Sequence, residues 1–127
     1  NTITFKNQIK SKRYYSKNYL VPIKAGNELI FEFNDVALGV GFAKLSMSIG
    51  RGHNLSKTPL ILVNGEMVKV PSNWKGYDQA NRKKFFGAID IPIPMDFIMK
   101  NNTIKISFPD DGGHLSSLIL DLETIIN

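Results

Sequence analysis

The sequence predicts an all-β fold: an antiparallel β-sandwich of jelly-roll type. Three observations predict it. Apolar residues recur at every second position through most of the chain, the mark of strands with one buried face. Turn-forming residues punctuate those runs. No amphipathic helix of ordinary length is visible, and neither a repeat nor a linker divides the chain.

The elements follow in order. Ile3 and Phe5 alternate with Thr2 and Thr4. A basic cluster spans residues 6–17. Tyr19, Val21 and Ile23 share one face, and residues 25–27 form a turn. Leu29, Phe31 and Phe33 share the next face, with Glu32 opposed. Ala43, Leu45, Met47 and Ile49 alternate with Lys44, Ser46, Ser48 and Gly50. Asn64-Gly65 lies between apolar runs at 60–63 and 67–70, a strong hairpin signal because both residues tolerate positive φ. Ile89, Ile91 and Ile93 come next, and Pro92 and Pro94 near the strand's end sit where a missing N–H is tolerable. Residues 96–100 suit one short helical turn. Ile104, Ile106 and Phe108 form a strand, and Leu118, Leu120 and Leu122 another. Eight or nine short strands imply two packed sheets about 10 Å apart. The strand-poor segments at 50–59 and 71–84 are long loops, where binding residues usually sit on a rigid sandwich.

The chain has 127 residues, so residues 1–127 read as one domain that buries about two thirds of its unfolded surface. No apolar run approaches ~20 residues, so no segment reads as a membrane-spanning helix. The sequence carries no initiator Met and no signal peptide, so it reads as an excised domain or a processed product whose address has been cut away. Cysteine is absent, which excludes disulfides, thiolate metal sites and cysteine nucleophiles. A net charge of +5, concentrated at residues 6–17 and 75–84, suits an anionic partner or a solvated surface in equal measure. Nucleic acid ranks last among such partners, because neither a groove-reading helix nor an aromatic RNA motif is present.

Four constellations carry candidate chemistry. Residues 74–84 hold the single Trp with Tyr77, Asp78, Gln79, Asn81 and Arg82. Sugar recognition needs such a mixture: an aromatic face for the C–H face of a pyranose, and amides, carboxylate and guanidinium for its hydroxyls or sulfates. The plainer alternative is that Trp74 plugs the core. Arg51, His53 and Asn54 lie on a Gly-rich loop that lacks the Lys-Ser/Thr pair of a phosphate loop. Asp110 and Asp111 offer hard oxygens suited to a calcium ion, though without EF-hand spacing, and the preferred reading is an ordinary turn in which Asp caps the backbone and Gly112 and Gly113 supply positive φ. His114 is the ligand candidate of that turn. With two histidines in the chain, a histidine zinc centre is not expected.

Asp121 and Glu123 stand two apart on one strand face, about 7 Å, a separation compatible with paired glycosidase carboxylates. The register that turns Leu118, Leu120 and Leu122 inward turns these two outward. They read as a solvated strand face, which offers no desolvation to raise the pKa of an acid. No Gly-x-Ser-x-Gly nucleophile motif occurs.

Residues 60–123 resemble a β-sandwich module found beside the catalytic domains of marine bacterial agarases and porphyranases. The resemblance rests on Val63-Asn64-Gly65, residues 74–79, Phe85-Phe86-Gly87, residues 91–94, Asn102-Thr103-Ile104 and residues 108–117. It covers about half the chain, and the segment before it matches only in its strand pattern and its basic, aromatic character; the order of Asn-Gly hairpin, Pro-x-Pro, Asn-Thr-Ile strand and final strand also resembles galactose-binding-like jelly rolls generally. It implies a noncatalytic carbohydrate-binding module of a secreted or cell-surface enzyme, which it tethers to agarose or porphyran. The partners would be an agar-type galactan and a catalytic domain of the same chain, with no nucleic acid and no membrane. The resemblance carries Trp74, Tyr77, Asp78, Gln79 and His114 as ligand contacts. Arg51, His53 and Arg82 are added from their chemistry. It also implies no cofactor beyond a structural calcium whose ligands it does not place. Two rival readings stand beside it: an accessory sandwich that packs on a neighbouring glycoside hydrolase domain, and a small polysaccharide-degrading enzyme.

Overall fold

A computed structural model describes residues 8–17, 20–24, 26–51, 58–71, 87–109 and 113–126. Ten strands run through these segments: β1 (Gln8–Tyr15), β2 (Leu20–Ile23), β3 (Glu28–Phe33), β4 (Val40–Arg51), β5 (Leu60–Val63), β6 (Glu66–Met67), β7 (Gly87–Ile93), β8 (Asn102–Ser107), β9 (Gly113–Ser116) and β10 (Ile119–Ile126). One 3-10 turn, Met95–Phe97, precedes β8.

Every pairing is antiparallel, and the strands form two sheets. In the first sheet β4 is central. It pairs with β7 on one side and with β10 and then β9 on the other, and β1 and β2 lie beyond. The second sheet runs β3–β8–β5–β6. From β2 onward the chain passes back and forth between the sheets, pausing at the β5–β6 hairpin in the second sheet and between β9 and β10 in the first. That connectivity is a jelly roll, as the alternation predicts.

Alternation builds the core. Leu120, Leu45 and Ile91 stand in one cross-strand row and are fully buried. Opposite them, Ile106 and Ile61 form one buried row, while Phe31, Ile104 and Val63 form the next. Each such side chain contributes about 1.5–3 kcal/mol on burial. Phe108 is also fully buried. The close approach of β4 and β10 requires Gly41, since a Cβ there would run into the Glu123 carbonyl oxygen.

Asn64 and Asn102 pin one end of the sandwich. Asn64 takes φ 52° and Gly65 φ 84°, the left-handed pair that the hairpin demands. Asn64 Nδ2 donates to Phe97 O at 2.7 Å and to Asn102 Oδ1 at 2.8 Å. Its Oδ1 accepts from Thr103 N at 2.9 Å. Asn102, 1% exposed, also accepts from Met99 N and donates to Met99 O and Phe33 O. These amides tie β3, β5, β8 and the 3-10 turn together.

Three details depart from the expectations. β1 arises within the basic cluster and carries no apolar period. It is an edge strand whose Lys10 and Lys12 remain exposed, so no alternation betrays it. β9 (Gly113–Ser116) is an added strand where the sequence reads a turn, while Leu120 and Leu122 fall in β10 as expected. The short turn falls at Met95–Phe97 rather than 96–100. The Ile3 and Phe5 run and Tyr19 lie outside the described residues.

Candidate functional site

The register brings the strand ends that border the candidate loops together at one end of the first sheet. Arg51 ends β4 and pairs with Gly113, which opens β9. Gly113 also pairs with Ile23, the last residue of β2. Gly87 opens β7 opposite Ile49, two residues before β4 ends. The segments after β4, before β7 and before β9 therefore leave the first sheet at the same end. These are the segments in which the sequence places Arg51, His53, Trp74, Tyr77, Asp78, Gln79, Arg82 and the turn before His114.

His114 is exposed on β9, opposite Pro22 of β2 and Gly50 of β4. Arg51 holds its place through backbone pairing with Gly113. Gly113 belongs to β9 rather than to the turn. His53, Trp74, Tyr77, Asp78, Gln79 and Arg82 lie outside the described residues, as do Asp110, Asp111 and Gly112. Among the described residues, no three His, Asp or Glu side chains converge on a cation position.

The carboxylate pair requires a correction. Asp121 and Glu123 do point away from the core, but Asp121 is not solvated: its side chain is only 9% exposed. Flanking strands cover it. Arg13 on β1 and Lys44 on β4 stand directly opposite it in the ladder. Arg13 Nε lies 3.5 Å from Asp121 Oδ2, and Lys44 Nζ lies 4.0 Å from the same oxygen. Asp121 Oδ1 is buried without a hydrogen-bond partner. Lys44 Nζ also lies 3.7 Å from Asp90, whose Oδ1 accepts from Ser46 Oγ at 2.6 Å. Asp121 thus sits within a row of alternating charge, while Glu123 is exposed as expected. Sequence alternation gives the direction of a strand side chain but not the reach of its cross-strand neighbours.

The sequence reading also missed a surface. Ile9, Ile125 and Val40 lie side by side on β1, β10 and β4, on the outer face of the first sheet. Phe42 follows on the same face, 80% exposed. From there a groove of about 940 Å³ runs along the side of the sandwich, lined by Phe42, Pro92, Pro94, Met67, Val68 and Phe97 among others. The signal lay in the apolar pair Val40 and Phe42, which extends β4 with the opposite parity to Ala43 and Leu45.

Comparison with known proteins identifies the context. Residues 30–123, well over half the chain, match the family model described as beta porphyranase A C-terminal. Beta-porphyranase A of Phocaeicola plebeius is 49% identical over 121 residues, which cover 94% of this chain but 16% of that protein. The funoran endo-beta-hydrolase of Wenyingzhuangia aestuarii is 40% identical over 124 residues, covering 96% of this chain and 17% of that protein. The solved β-porphyranase of glycoside hydrolase family 86 from Bacteroides plebeius superposes with a TM-score of 0.88 at 45% identity, over 99% of this chain and 22% of that one. The chain therefore spans about a sixth of the length of the curated relatives it matches. It corresponds to their accessory sandwich, not to their catalytic domain. By its family match and its fold, the chain belongs to the C-terminal domains of beta-porphyranase A, the noncatalytic part of porphyranase and agarase chains.

Proposed function

We propose that this domain binds a red-algal galactan, porphyran or agarose, and holds its parent enzyme at the polymer. The observation that carries this reading is the register. It supports the reading because the strand ends that border three segments rich in aromatic, amide and cationic residues lie together at one end of the first sheet. Trp74 and Tyr77 would meet the apolar faces of galactose units, while Asp78, Gln79 and His114 read hydroxyls. Arg51, His53 and Arg82 would favour sulfated units through charge-assisted hydrogen bonds. The relatives named for porphyran and funoran support a galactan as the ligand class. Such a polymer would be met outside the cell, so the setting is a secreted or surface-held enzyme. Single-site affinity would be modest. The benefit lies in raising the effective concentration of the enzyme at its substrate. Affinity electrophoresis in gels containing porphyran, agarose or funoran tests the reading. Retarded migration in at least one galactan is expected, and unretarded migration in all three contradicts it.

A further inference from the structure

We infer that the outer face of the first sheet around Ile9, Val40, Phe42 and Ile125 docks the domain onto the larger remainder of its own parent polypeptide. The inference rests on the family membership and not on galactan binding. Ile9 is 65% exposed, Val40 76%, Phe42 80% and Ile125 40%. The ladder places them together: Ile9 opposite Ile125, Ile125 opposite Val40, and Phe42 two residues on. Four large apolar residues on three hydrogen-bonded strands make a contiguous patch, which isolated proteins seldom leave to water. The Arg13–Asp121–Lys44 row borders it, giving the apolar centre and polar rim of a protein interface.

The chemistry selects the occupant. Three of the four residues are branched aliphatics, which offer a sugar neither a flat ring nor a hydrogen bond. They do match the apolar side chains of another protein surface. In the relatives this sandwich accounts for 16–17% of the protein, so most of the chain lies outside it. A covalently tethered neighbour meets the patch at high effective concentration, so a modest interface suffices to hold it. The patch also leaves the other end free. Val40 and Arg51 bound a strand of 12 residues, which separates the patch from the candidate loops by about 35 Å at the rise of a strand.

The test uses the full-length polypeptide that carries this domain. Val40→Lys with Phe42→Glu places charges in the patch, and Val40→Thr with Phe42→Ser removes the apolar surface while keeping residues that suit a strand. All four side chains are solvated in the free sandwich, so both pairs leave the core untouched. Proteolysis between the sandwich and the rest of the chain should accelerate about tenfold or more in both variants. Retardation in galactan gels should stay within about twofold of the parent. Unchanged proteolysis in both variants overturns the inference. So does loss of galactan retention with unchanged proteolysis, which would make the face a glycan platform. Self-association of the parent chain abolished by the same substitutions would instead assign the face to a second copy. A domain that docks as inferred but binds no galactan would defeat only the proposed function.

Discussion

The two ends of the sandwich are built by different means. At one end Asn64 and Asn102 join β3, β5, β8 and the 3-10 turn through buried amides whose donors and acceptors are matched. At the other, strands terminate at Ile23, Arg51, Gly87 and Gly113 and hand over to loops rich in polar and aromatic residues. The residues that carry the family resemblance divide between these ends. The Asn-Gly hairpin and Asn102-Thr103-Ile104 make the fold. The Trp74 segment precedes β7 and His114 lies on β9, at the end where galactan binding is proposed. A recognisable motif is therefore not evidence of a ligand site until its side chains are located.

Substitutions should separate the ends cleanly, and the largest effect belongs to the pinned one. Asn102→Ala removes four hydrogen bonds and strands the buried partners. It should cost about 3–5 kcal/mol and lower the melting midpoint by roughly 10–20 °C in calorimetry. Galactan retention by the fraction still folded should not change. Gly41→Ala drives a methyl into the β10 backbone. Denaturant unfolding should show a loss of about 1–3 kcal/mol. Asp121→Asn leaves Arg13 and Lys44 without their shared anion, and because both cations reach solvent the cost should be about 1–2 kcal/mol. The exposed Lys105–Glu28 pair at 3.9 Å is the lower limit of the series. Glu28→Gln should change stability by less than about 0.5 kcal/mol. A melting midpoint for Asn102→Ala equal to that of the parent would break the comparison from the folding side.

Much of the fold was legible in the sequence, and the exceptions share a physical cause. Strands with one buried face announce themselves, as Leu45, Met47 and Ile49 or Ile104 and Ile106 do. β1 does not, because its lysines meet water at the sheet's edge. The Asn64-Gly65 hairpin was legible because its backbone conformation restricts residue choice. The burial of Asp121 was not. It depends on Arg13 and Lys44, brought across from strands distant in sequence. The candidate site was legible in residue types and loop lengths. That the strands bordering its loops end together at one end of the first sheet follows from register, which a single sequence does not display. The exposed Val40 and Phe42 were passed over because alternation highlights the buried parity and treats the other as solvent.

The most direct measurement compares Trp74→Ala with the parent in two readouts: retention in porphyran and agarose gels, and the thermal midpoint. The account predicts at least about a tenfold weakening of retention with the midpoint held within about 2 °C, a shift below ~1 kcal/mol. Unaltered retention would remove Trp74 from the ligand contacts, and a midpoint that collapses would place it in the core; either contradicts the assignment of galactan binding to the loop end.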